Sequence, residues 1–192
     1  QRFFEGAQTM DMDIPFTQAE ILSAQKELII SNGLNNASVR PIAWRGSEMM
    51  AVSAQKTTIN VAIASWAWPS YFDPSEKMKG IKLDIAKWKR PDPNCAPVHV
   101  KASGLYMICT LSKHDAEAKG YSDALMLDWR DLIAEATGAN IFFKFKDGNL
   151  YTPKPDCFLD GITRRTVIKL AKDLGVNTIE KQLRLDDIHD AE

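Results

Sequence analysis

Residues 95–143 read CAPVHVKASGLYMICTLSKHDAEAKGYSDALMLDWRDLIAEATGANIFF, and the rest of the chain is ordered around them. Lys101 stands where an extended run, Ala96-Pro97-Val98-His99-Val100, gives way through Ala102-Ser103-Gly104 to a helical pattern. Its amine is therefore expected at the boundary of two elements. Glu135 lies between a β-rich run, Leu125 to Ala134, and the turn-prone Thr137-Gly138, from which a carboxylate can point at a ligand. The helix between them is expected over 103–119, with Met107, Ile108 and Leu111 on its buried side and Gly120 as its stop.

Downstream, Asp147-Gly148 between the runs 141–145 and 150–152 predicts a hairpin, lengthened by Asn149. Gly161-Ile162-Thr163 opens a helix carrying Val167, Leu170, Ala171 and Leu174 at three-to-four spacing and stopping at Gly175. Upstream, residues 2–13 predict a helix that ends before Pro15. Thr17-Gln18-Ala19-Glu20 is a capping box for a second helix, with Ile21, Ala24, Leu28 and Ile29 on one face and Asn32-Gly33 as its stop. Residues 37–45 look extended, and Pro41 requires an edge or a bulge because it cannot donate to a ladder. Residues 57–66 alternate as a strand, and Ile81, Leu83 and Ile85 suggest another. WAWPSYFD with Pro74 and Gly80 marks a connection. The division expected is 1–67 for a small domain, 68–79 for the connection and 80–192 for a larger domain.

Composition narrows the function classes. A formal net charge of −1 and the lack of a basic run argue against a nucleic-acid surface. Cys95, Cys109 and Cys157 are far apart without C-x-x-C spacing, so neither a disulfide framework nor a zinc site is indicated, and a cytoplasmic setting is expected. His99, His114 and His189 lack metal-ligand spacing. The most apolar run, Ile59 to Trp68, is too short for a bilayer span, which takes about 20 residues. The chain opens on Gln1-Arg2-Phe3-Phe4-Glu5, already helical in character, and ends at Ala191-Glu192 with no closing element, so a fragment is expected.

A lysine desolvated at a strand end is a nucleophile for a carbonyl, giving a Schiff base. A carboxylate facing the same pocket suits a pyridinium nitrogen, and the free N–H groups of a helix start suit a phosphate. Together these describe pyridoxal phosphate. Taken singly, each feature has an ordinary reading as a surface lysine, a turn carboxylate or a helix N-cap, and Arg40, Trp68 and Tyr71 read equally as surface charge and boundary packing.

The string VKASGLYMICTL, continued by GYSDALMLDWRDLIAEATGANIFF and KDGNLYTPKPDCFLDGITRRTVIKLAKDLG, resembles the branched-chain amino acid aminotransferases, class IV of the pyridoxal-phosphate aminotransferases. The resemblance runs back through WKRPDPNCAP, WAWPSYF and SVRPIAWRG to RFFEGAQTMDMDIPF, covering essentially the whole chain. It implies an α+β fold of two domains, a small N-terminal α/β sandwich and a larger pseudo-barrel, both truncated here. It also implies transfer of the amino group between leucine, isoleucine or valine and 2-oxoglutarate, in a homodimer or higher homo-oligomer. Carried over by position, Lys101 would join the cofactor aldehyde and shuttle the substrate proton, and Glu135 would pair with the ring nitrogen. Tyr106 would bond the phenolic oxygen with Arg90 in support, Ile162 and Thr163 N–H groups would hold phosphate, and Gly138 would let the backbone approach the ring. Arg40, Trp68 and Tyr71 would line the substrate side, with 66–73 as a gate.

The sequence departs from that pattern at Leu105, where relatives carry Asn, and at Ala139, where they carry Glu; the expectation is altered support rather than lost chemistry. Ser38 replaces an aromatic, which leaves the preferred amino acid open. Relatives also supply an N-terminal arginine and a C-terminal Gly-Thr strand to the site, so these 192 residues alone are expected to bind cofactor poorly and turn over little. A D-amino acid aminotransferase, an aminodeoxychorismate lyase and a non-catalytic piece of the fold are the alternatives.

Overall fold

A computed structural model describes residues 1–68 and 78–192. The chain divides into two compact units, Gln1–Pro74 and Ser75–Glu192. Most of the connection expected over 68–79 lies outside the described residues, Tyr71 included.

The first unit holds helices α1 (Arg2–Thr9) and α2 (Gln18–Ser31) and strands β1 (Ala37–Arg45) and β2 (Ile59–Ala67). α1 is shorter than its apolar pattern suggests. Asp11 takes φ 54° and the chain wraps back through Met12 N–H to Ala7 C=O at 2.9 Å, closing the helix well ahead of Pro15. The capping box forms: the Glu20 N–H donates to Thr17 Oγ1 at 3.2 Å and the Thr17 N–H to Glu20 Oε2 at 2.7 Å. Strands β1 and β2 pair antiparallel over nine residues each, from Ala37↔Ala67 to Arg45↔Ile59. Both are edges, which is how Pro41 is accommodated. Val39, Pro41 and Ala43 on β1 and Ile59, Val61, Ile63 and Ser65 on β2 are half-buried, and Asn32 of the α2 C-cap donates to Ser65 Oγ at 2.9 Å. The alternate residues, Arg40, Ile42, Trp44, Ala62 and Ala64, are exposed.

The second unit contains two strand–helix–strand crossovers. β3 (Leu83–Ile85) leads through α3 (Met107–Ala118) to β4 (Asp123–Leu127), parallel to β3, and β5 (Ile133–Ala136) returns antiparallel to β4 with a bulge at Met126/Leu127. After the hairpin of β6 (Phe143–Lys144) and β7 (Leu150–Pro153), α4 (Ile162–Asp173) crosses to β8 (Thr178–Lys181), parallel to β7. Parallel neighbours need such a crossover, and here each contains one helix. Leu125, Leu127, Ile133 and Leu183 form the main core, packed by Leu83, Ile141, Phe143, Tyr151, Leu185 and Ile188. Ala134, Cys157 and Phe158 form a second cluster against Trp129.

Several expectations are corrected here. The run 96–100 is not a strand: the Val98 N–H turns back to Ala96 C=O and Val100 N–H to Pro97 C=O, so Lys101 sits on a looped segment. Glu135 is inside β5 rather than between a strand and a turn. α3 buries Cys109, Ser112 and Ala116, while Met107 and Leu111 are exposed. α4 buries Arg164 and Ala171, leaving Leu170 and Leu174 in solvent. α3 packs through small side chains, which permits close approach, whereas α4 buries the Arg164 side chain beside Ala171. Residues 178–191 join the unit through β8, a 3-10 turn at Leu185–Ile188 and the Phe145↔Ala191 bridge.

Two substitutions separate these faces. Phe158→Ala empties a fully buried site and should lower unfolding free energy by about 3–5 kcal/mol, whereas Leu174→Ala should change it by less than about 0.5 kcal/mol. Urea denaturation of both variants checks the assignment; comparable losses would restore Leu174 to the packed face.

Candidate active site

One 3-10 turn, Ser103–Tyr106, follows Lys101 directly and begins the approach to α3. It folds Tyr106 back on the lysine, so that Lys101 Nζ donates to Tyr106 Oη at 2.6 Å and lies 4.9 Å from the ring centroid. Lys101 is exposed, contrary to the expected desolvated amine.

Glu135 is brought to the same region by β5, every residue of which is buried. The side chain opposite it on β4 is Met126. Arg90 approaches from the loop beyond β3: its N–H donates to Leu127 C=O at 2.8 Å and it bridges in parallel to Asp128, extending the β3–β4 pairing. The Arg90 Nε stands 3.6 Å from Glu135 Oε1, an ion pair beyond hydrogen-bond distance, and Nη1 donates to Cys109 Sγ at 3.7 Å. Arg90, only 4% exposed, has no hydrogen-bond acceptor for Nε among the described residues. Its described side-chain contacts are with Glu135 and Cys109. Burial pushes the Glu135 carboxyl up to about 7, with the Arg90 and Lys101 charges pulling the other way.

The turn after β5 is closed by the Ala136 N–H donating to Ala139 C=O at 2.8 Å. Gly138 has no positive φ and an added Cβ would meet no protein atom within 4 Å, so neither conformation nor protein packing demands glycine there. The two departures, Leu105 and Ala139, contribute carbonyls: Leu105 C=O accepts from Cys109 Sγ and Ala139 C=O closes the turn. The fold therefore keeps its local bonds whichever side chains stand there.

At the start of α4, Gly161 is the N-cap, and no side chain caps the helix. The Ile162 and Thr163 N–H groups in that first turn have no partner inside the helix. Arg164, one residue on, is buried and clamps the turn by donating to Asp160 Oδ1, Pro153 C=O and Glu180 Oε2 at 2.9, 3.0 and 2.8 Å.

Asn140 is the site residue that the sequence did not single out. Its Nδ2 donates to Glu135 Oε2 at 3.2 Å and to Leu159 C=O at 3.0 Å, while Oδ1 accepts the Gly161 N–H at 3.2 Å. An asparagine after a glycine-containing turn reads as turn chemistry, and its partners are far along the chain. Lys101, Tyr106, Arg90, Glu135, Gly138, Ile162 and Thr163 thus all belong to the second unit.

Arg40 and Trp68 belong to the first. Ser38 pairs with Trp66, which places Arg40 diagonally across from that indole, and the guanidinium lies 5.4 Å from the ring centroid. Trp66 and Trp68 meet edge to face at 5.7 Å. Trp66 was also not singled out, although the two-residue spacing of W-A-W was its signal.

Asp128, Asp156 and Cys157 converge closely enough to ligate a cation, but the Arg130 guanidinium already donates to both carboxylates, at 2.6 and 2.8 Å. Burial pushes the Cys157 thiol up, and no helix among the described residues is long and apolar enough to cross a membrane.

A sequence profile of the family described as amino-transferase class IV matches residues 1–192. A probable branched-chain-amino-acid aminotransferase of Rickettsia bellii is 40% identical over 190 residues, which are 99% of this chain and 64% of that protein. The branched-chain-amino-acid aminotransferase of Pseudomonas aeruginosa is 35% identical over 191 residues, 100% of this chain and 62% of its own. The crystal structure of the branched-chain amino acid aminotransferase of the bacterium abbreviated T.th., with pyridoxamine 5′-phosphate, matches with a TM-score of 0.93 at 34% identity, over 99% of this chain and 62% of that one. The chain spans less than two thirds of the length of these relatives and shares their α+β fold along its own.

The raised Glu135 value has a measurable consequence. An unfolded carboxyl titrates near 4.5 and the folded one near 7, so the folded chain holds an extra proton between those values. Folding stability must then fall as pH rises through that window, by roughly 3 kcal/mol. Glu135→Gln removes this slope. Chemical denaturation across the window should show the variant gaining on the parent chain by that amount, while parallel curves would rule out the buried carboxylate.

Proposed function

The chain belongs to the amino-transferase class IV family, and on that premise we propose that it is the lysine-bearing part of a pyridoxal 5′-phosphate-dependent transaminase. The proposed reaction is exchange of the amino group between branched-chain L-amino acids and 2-oxoglutarate. The observation that carries this reading is the hydrogen bond of Lys101 Nζ to Tyr106 Oη beside the buried Glu135.

The residues present fit the cofactor. Glu135 is a carboxylate whose ionisation burial opposes, so a cationic ring nitrogen is a favourable partner for it. Gly138 leaves its Cβ space open, and the uncapped first turn of α4 offers the N–H groups of Ile162 and Thr163 to a phosphate. When bound, pyridoxal 5′-phosphate supplies an aldehyde for a primary amine and a cationic ring that spreads the electron pair left at a substrate α-carbon. Lys101 Nζ is the group that takes up and returns the α-proton, and Tyr106 Oη orients it. The Arg90 charge favours the ionised form of Glu135, against the burial that opposes it.

In the first unit, Arg40 offers a positive charge to the second carboxylate of 2-oxoglutarate, and Trp68 and Tyr71 offer an apolar wall to a branched side chain. The reading extends to a small N-terminal α/β domain joined to a larger pseudo-barrel, a homodimer or higher homo-oligomer, and a cytoplasmic role in branched-chain amino-acid biosynthesis.

Borohydride reduction with pyridoxal 5′-phosphate followed by peptide mass mapping should find the pyridoxyl group on Lys101 and lose it in Lys101→Ala. Label scattered over other lysines would overturn the assignment. The whole protein should form glutamate in a leucine-dependent way without releasing pyruvate; pyruvate release would point to lyase chemistry instead.

A further inference from the structure

We infer that Asn140 is a positioning residue that couples the Glu135 carboxylate to the first turn of α4, fixing the spacing between the two. All three of its polar contacts are used at once: two donors reach Glu135 Oε2 and Leu159 C=O, and the acceptor receives the Gly161 N–H. The contacts also settle which way the amide faces. Turned over, Oδ1 would meet a carboxylate and a carbonyl, and the NH2 group would meet an N–H.

Gly161 completes the coupling from the other side. Its φ of −63° is ordinary, so no backbone strain calls for glycine. A Cβ at 161 would lie 2.1 Å from Asn140 Oδ1, however, and that contact excludes any side chain there while Asn140 keeps its place. Pressure at 161 therefore displaces the amide that donates to Glu135. Arg90, Lys101 and the Cys109 thiol face Glu135 from other segments. The coupling rests on the proposed function only in giving both ends to one ligand; the hydrogen bonds themselves run between residues of the chain.

The test follows the Glu135 carboxyl by 13C NMR titration in the full 192-residue chain. Asn140→Ala should raise its midpoint, because an N–H donor to the ionised form is lost. Gly161→Ala should raise it comparably, although no hydrogen bond joins residue 161 to Glu135. The double variant should match Asn140→Ala alone, since removing the amide relieves the collision. Asn140→Ser replaces Asn140→Ala if the latter does not fold. A Gly161→Ala chain that folds only together with Asn140→Ala supports the same contact. Additive shifts, an unmoved Glu135 in Gly161→Ala, or a Gly161→Ala chain that fails to fold with either residue at 140 would overturn the coupling.

A second arm compares pyridoxal 5′-phosphate with pyridoxal. The whole protein should favour the phosphorylated form, and Asn140→Ala in it should narrow that preference about tenfold. An unchanged preference would remove the phosphate end from the coupling. Failure of the whole protein to bind either compound, with the NMR shifts of the chain intact, would overturn the cofactor reading and leave the coupling standing.

Discussion

A carboxylate enclosed in a strand that is buried at every position is the constraint on which the second unit depends. Ionised and alone, Glu135 would cost several kcal/mol in such surroundings. The structure reduces that cost in three ways: a raised proton affinity, a guanidinium at 3.6 Å and an amide donor at 3.2 Å. None is complete. A purely structural ion pair closes to hydrogen-bond distance, whereas here Arg90 Nε finds no acceptor among the described residues. Partial compensation of this kind is characteristic of a group whose final partner is a ligand.

The remaining parts follow from fixing that carboxylate. Arg90 is held by extending the β3–β4 pairing, Lys101 by the loop before α3, and the α4 start by the Arg164 clamp. Arg90 and Lys101 come from connections between elements and Arg164 from the first turn of α4, while the strands beneath supply rigidity. Such a division keeps the polar groups adjustable and the scaffold fixed.

Much of this was readable in the residues. The capping box at Thr17, the alternation along β2 and the Asp147-Gly148 turn are local devices, and local devices survive folding unchanged. The packed faces of α3 and α4 were read only in part: Ala171 is buried and Ile108 and Val167 half-buried, but Met107, Leu111, Leu170 and Leu174 face solvent, because periodicity identifies apolar stripes and not the residues, Ser112 and Arg164 among them, that meet the rest of the fold. β8 was missed for a related reason: Thr178–Lys181 is short, and its pairing with β7 is tertiary. Val98 and Val100 gave 96–100 a strand-like composition that Pro97 and its turns override. Lys101, Tyr106 and Glu135 could be found by type and order, but Asn140 acquires meaning only when Leu159 and Gly161 are folded against it.

The two crossovers of the second unit also bear on how the chain reaches this state. In the first unit β1 and β2 are neighbours in sequence, and their ladder can form after closing one short loop. β4 must find β3, and β8 must find β7, only after an intervening helix has been laid down. Closing those longer loops is entropically unfavourable until the non-local contacts repay it, so nucleation in the second unit is the slow event. Until it occurs, the edges of β4 and β7 are open to pairing with other chains, and the parallel architecture that fixes the candidate site makes the nascent chain prone to association before it is complete.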